Sequence, residues 1–241
     1  MPSAATVRPT TGMGVDRYVQ PMSKQPIVSV ATGLPRPTWR GRLHYWAFWG
    51  SIPAITLLMV ITDSAISRVA ASIYGVSMAL LYGVSAAYHR MARSPKAQRV
   101  MRRLDHSMIF VLIAGTYTPV CLVALPTTWG ISILVVIWSL AALGIATKVW
   151  GTERVLKIAN SFYIVMGWVA LAAVPVLFQS MSHLEFGFLL TGGLLYTIGA
   201  YLFYRKRPDP FPAVFGYHEI WHAFTLMAGA SHYAMVALVV R

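Results

Sequence analysis

Residues 217–240 read YHEIWHAFTLMAGASHYAMVALVV, an apolar stretch whose single formal charge, Glu219, lies in its opening His218-Glu219-Ile220-Trp221-His222. A run of this length and hydropathy spans the hydrocarbon core of a bilayer as one helix. In a helix, His218 and His222 stand one above the other on a single face. That spacing lets two imidazoles bind one metal ion. Ionisable groups inside membrane helices mark functional sites, and this segment carries His218, Glu219, His222 and His232.

Six further runs precede it, at 44–62, 69–89, 105–125, 129–148, 158–178 and 185–204, joined by short connections. The 241-residue chain is 57% hydrophobic and 11% charged, with a mean hydropathy of +0.60, which places it outside the soluble globular class. The pattern predicts an all-α polytopic membrane protein, a seven-transmembrane helix bundle occupying residues 43–241. Residues 1–42, rich in Pro, Ser, Thr and Arg, predict a flexible N-terminal tail rather than a signal peptide, since the first apolar run starts too far in and is too long. Pro53, Pro119 and Pro175 fall inside runs one, three and five and predict kinks there. The one cysteine, Cys121, lies in an apolar run and reads as a packing residue.

Lys and Arg set the predicted orientation. They gather in the tail, after run two (Arg90, Arg93, Lys96, Arg99, Arg102, Arg103), after run four (Lys148, Arg154, Lys157) and after run six (Arg205, Lys206, Arg207), leaving only Arg68 and Arg241 on the opposite side. This predicts a multi-pass protein of the cell membrane with a cytoplasmic N-terminus and an outward C-terminus. It also accounts for the net charge of +13 without nucleic acid, because juxtamembrane basic residues orient insertion and meet anionic lipid heads. Membrane lipids are the expected partners. A pore is poorly served, since runs four to six have no charged lining.

With orientation assigned, depth follows. Run two ends in Ser85-Ala86-Ala87-Tyr88-His89, run three opens Leu104-Asp105-His106-Ser107, and run seven opens with His218 and His222, all on the cytoplasmic side. Three histidines with water or a carboxylate make the ligand set of a catalytic zinc site with its fourth position open. His89, His218 and His222 are therefore the candidate Zn²⁺ ligands. Asp105 is a candidate base for a metal-bound water, and Ser85, one turn before His89, a candidate orienting group.

Plainer roles are available for several of these residues. Asp105 at the start of a helix can cap it, and Ser85 can serve close helix packing. His44, His183 and Glu185 fall at helix ends with access to water, and His106 reads as interfacial. His232, about 15 Å along the helix from His222, reads as a buried histidine bonded across helices. Thr116, Tyr117 and Thr118 can bond around Pro119 or line a cavity. The same five residues, His218 to His222, also satisfy the H-E-x-x-H pattern of metalloproteases, with Glu219 as base. Otherwise Glu219 is an interfacial acid near a helix N-terminus.

Ser85-x-x-x-His89, Asp105 followed by Ala114-Gly115-Thr116-Tyr117-Thr118-Pro119, and His218-x-x-x-His222, each in its own helix, resemble the hemolysin III branch of the progestin and adipoQ receptor family. The resemblance covers residues 42 to 240. It implies a seven-helix bundle with its N-terminus inside and zinc on His89, His218 and His222. The wider superfamily includes the alkaline ceramidases, so it further implies a zinc-dependent hydrolase of lipid amide or ester bonds, or a factor in membrane lipid homeostasis. The other reading is a lipid-binding receptor, sensor or cytolysin-like protein with structural zinc.

Overall fold

A backbone surrounded by lipid must satisfy its hydrogen bonds internally, and among the described residues seven long stretches do so as helices. They are α1 (Arg42–Ile61), α2 (Ala65–Met91), α3 (Pro95–Ala124), α4 (Thr127–Trp150), α5 (Phe162–Ser180), α6 (His183–Arg205) and α7 (Tyr217–Val239). The structure, a computed structural model, describes residues 26–30, 32–151 and 162–241. Residues 1–25 of the predicted tail, and Arg154 and Lys157, lie outside the described residues. Among the described residues β structure is limited to isolated bridges, Val28 with Pro35 and Phe211 with Phe215.

The largest departure from the predicted boundaries is at α3, which starts at Pro95 rather than near residue 105. Ser94 caps it by accepting from the Ala97 N–H at 3.2 Å, and proline follows at the first helical position. Lys96, Arg99, Arg102 and Arg103 thus ride on helix instead of loop. Asp105 is well inside α3 and has no capping role.

Pro119 interrupts α3 as predicted. It lacks an N–H, and beyond it the helix widens into a π turn at Val120–Ala124, closed by Leu125 N donating to the Val120 carbonyl at 3.0 Å. Thr116 and Thr118 donate back to the carbonyls of Leu112 and Ala114, each at 2.8 Å. Tyr117 reaches α5 instead. Its hydroxyl accepts from Ala170 N at 2.9 Å and lies 3.0 Å from the Met166 carbonyl, just where α5 tightens into the 3₁₀ turn Val169–Ala173 ahead of Pro175.

α2 is flanked by α1 and α3, while α7 packs along α6 and touches α1 and α3. Gly192 on α6 faces the ring of His232, close enough that any Cβ there would collide with it. His232 Nε2 meets the Leu189 carbonyl at 3.2 Å, the cross-helix bond predicted for it, and Ser231 donates to the Phe188 carbonyl at 2.8 Å. Large tyrosines fill the space between α2 and α7, where the Tyr74 hydroxyl donates to the Gly229 carbonyl at 3.4 Å.

Candidate metal centre

His89 lies in the last turn of α2, and His218 and His222 in the first two turns of α7. Antiparallel packing brings these ends to the same level, and one nitrogen from each ring lies within 4.8 Å of the others. The ring centroids are 4.9 Å apart for His89 and His218, 5.1 Å for His89 and His222 and 4.8 Å for His218 and His222. His89 is 4% exposed, and neither of its ring nitrogens has a hydrogen-bond partner. A neutral imidazole has one donor and one acceptor, and leaving such a group buried and unpaired costs about 1–3 kcal/mol. A metal ion would take up the acceptor. Three neutral imidazoles at this separation are a donor set that would suit a divalent metal ion such as zinc.

His89 is aimed from outside its own helix. Arg36 donates from Nη1 to the carbonyls of Tyr88 and His89, both at 2.8 Å, closing the C-terminal end of α2 with a positive charge. Gly41 has φ 77°, and a Cβ there would come within 2.6 Å of the His89 Cβ, so the position demands glycine twice over. These residues belong to the stretch predicted as tail. Its described part is tethered to the bundle: the Gln98 amide donates to the Val28 carbonyl at 2.7 Å, and Thr38 and Trp39 donate to the carbonyls of Ala213 and Val214 at 3.1 Å.

Glu219 lies in the first turn of α7, near its positive end as expected, and it is buried there, 1% exposed. One carboxylate oxygen pairs with Arg40 Nε, and the other accepts from Gly216 N at 2.8 Å, completing the start of α7. Both oxygens are committed to structure. The H-E-x-x-H reading needs this carboxylate free to face water, and here it is not.

Ser85 and Asp105 meet each other. The buried Ser85 hydroxyl hydrogen-bonds the Asp105 carboxylate, and the Arg36 guanidinium is near enough to act on it electrostatically. Asp105 is not among the three residues whose ligand atoms cluster.

The expectation for His44 is overturned. His44 was placed at a helix end with access to water, yet it is 3% exposed and its ring lies on that of His222. Thr225 spends its hydroxyl proton on the His222 carbonyl at 2.7 Å, so it accepts from His44 Nε2 at 2.9 Å. The reason is that α1 packs against α7 with the ordered segment before it folded over the bundle end, which shuts water out. The same-level argument that selected His89 also applies to the start of α1. Nothing in local sequence separates a wet His44 from a buried one.

The Haemolysin-III related family model matches residues 32–233. The chain is 40% identical over 189 residues to a hemolysin-3 homolog of Bacillus subtilis, covering 77% of this chain and 85% of that protein. It is 38% identical over 193 residues to hemolysin-3 of Bacillus cereus, covering 79% and 85%. It is also 27% identical over 189 residues to the human monocyte to macrophage differentiation factor, covering 76% of each. With seven spanning helices, a three-histidine cluster and a family match over most of its length, this chain belongs to the Haemolysin-III related family of multi-pass membrane proteins.

Proposed function

We propose that the protein is a zinc-dependent hydrolase of lipid amide or ester bonds, serving membrane lipid homeostasis from the cell membrane. The observation that carries this reading is the buried His89 ring, partnerless at both nitrogens and facing His218 and His222. Zinc held there supplies Lewis acidity toward a carbonyl oxygen and makes bound water a stronger acid. The chain's own residues then have separable tasks. His89, His218 and His222 hold the ion, Arg36 and Gly41 fix the His89 backbone, and Asp105 takes and returns a proton while Ser85 orients its carboxylate. On the positive-inside rule the basic end of the bundle, and the site with it, faces the cytoplasm.

The test joins metal analysis to chemistry. Purified protein carries stoichiometric zinc, and Asp105→Asn retains that zinc while losing turnover by about 10²–10⁴. The substrate is found by comparing the lipids of membranes with and without the protein. Stoichiometric zinc in His218→Ala/His222→Ala defeats the site. An unchanged lipid profile with zinc present favours a lipid-binding receptor holding structural metal.

A further inference from the structure

α1 and α2 leave between them a groove of about 940 Å³. Its walls are apolar: Phe48 and Trp49 on α1, Val76, Leu80 and Met91 on α2. Trp49, Val76 and Leu80 are exposed along it. From Val76 to Met91 the α2 wall runs about 22 Å by helix rise, more than the ~15 Å of one hydrocarbon leaflet. The end near Met91 is different in kind. Arg36, Arg40, Arg42 and Arg90 line it, and among the described residues no acidic one does.

These arginines are not equivalent. Arg40 is neutralised by Glu219, and Arg36 is committed to the carbonyls ending α2. Arg90 lies 4.8 Å over the Tyr45 ring and Arg42 5.8 Å over the Trp39 ring, contacts that orient a guanidinium without cancelling its charge. Neither has a carboxylate within ion-pair distance among the described residues. Two uncancelled cations at the membrane surface, continuous with a long apolar channel facing the bilayer, call for a ligand with an anionic head and a hydrocarbon chain. A water-soluble phosphate would use only the first, and a zwitterionic lipid would bring its own cation to the arginines.

We propose that this groove binds one anionic glycerophospholipid, its phosphate and acidic head between Arg42 and Arg90 and an acyl chain along the walls of α1 and α2. His89 also reaches the groove, so the lipid lies beside the metal centre. The proposal does not depend on zinc or on turnover there.

Native mass spectrometry of the full chain in a neutral detergent tests it, with phosphatidylglycerol and phosphatidylcholine of identical acyl chains added separately. One phosphatidylglycerol is retained under conditions that strip phosphatidylcholine. Arg42→Gln/Arg90→Gln weakens phosphatidylglycerol binding about thirtyfold, the effect of two lost surface cations, whereas Arg99→Gln/Arg205→Gln, away from the groove, leaves it unchanged. Leu80→Trp, which narrows the channel, lowers retention without touching charge, and glycerol 3-phosphate does not compete. Equal retention of both lipids by the native protein overturns the proposal, as does equal loss in the two arginine pairs or undiminished binding in Leu80→Trp. Thermal melting checks that each variant folds. If the Arg42/Arg90 pair does not fold, the lipid comparison and Leu80→Trp decide.

Discussion

The imidazole of His44 lies flat on that of His222, with centroids 3.9 Å apart and planes 2° from parallel. Thr225 fixes the His44 ring, and that ring in turn covers one face of the His222 imidazole; outer contacts that orient a ligand typically contribute tenfold to a hundredfold in metal affinity. His44→Ala is therefore expected to weaken zinc binding by that factor, measured by competition with a chelator of known affinity. His44→Phe, which keeps the flat face, should recover most of it. Equal affinity in all three proteins would show the stack to be incidental.

The three clustered histidines should behave as one unit. His89→Ala, His218→Ala and His222→Ala each lose bound zinc by elemental analysis, while His232→Ala keeps it because that ring serves the Leu189 carbonyl. Protons compete for the same imidazole nitrogens, so zinc is released as pH falls and regained as pH rises. Release on raising the pH from neutrality would contradict imidazole ligation.

Arg40 and Glu219 form a buried pair with unequal exposure, 18% and 1% at the side chain. Arg40→Ala strands a carboxylate and should cost about 3–5 kcal/mol of stability. Glu219→Gln keeps an acceptor for Gly216 N and should cost less. Thermal melting ranks the two. If Glu219→Gln instead abolished turnover with melting and zinc unchanged, the carboxylate would be chemical after all.

Tyr117 holds the tight turn of α5. Tyr117→Phe removes the acceptor for the Ala170 N–H and leaves it unsatisfied in an apolar surround, a loss of about 1–3 kcal/mol. The lowered melting temperature should come with faster amide exchange around residue 170 and none near His89. Uniform exchange across the chain would deny the local role.

The seven helices were legible because hydropathy and length decide the matter in lipid: each predicted run became a helix. The start of α3 was not, although Ser94-Pro95 is a helix-opening signal. A string of Arg and Lys reads as connection when apolar periodicity is the only criterion. His89, His218 and His222 could be brought together from orientation alone, since alternation of direction fixes the level of each helix end. Which way a ring points at that level depends on neighbours far along the chain. So His44, taken to be wet, proved buried against His222, and Glu219, placed at the interface, proved locked by Arg40. Arg36 and Gly41 were hidden for another reason. They sit in a polar stretch with no periodicity, and their importance comes from touching the end of α2.

Arg40 and Glu219 are 179 residues apart, and His44 stacks on a residue of the final helix. During translation, then, nothing made by the first six helices can complete this centre; it comes into being only after the seventh has been inserted and has docked. Any metal loading would thereby be tied to finished biogenesis, and a nascent chain cut short before Tyr217 would expose an orphan arginine and two imidazoles, His44 and His89, to the machinery that inspects unfinished membrane proteins.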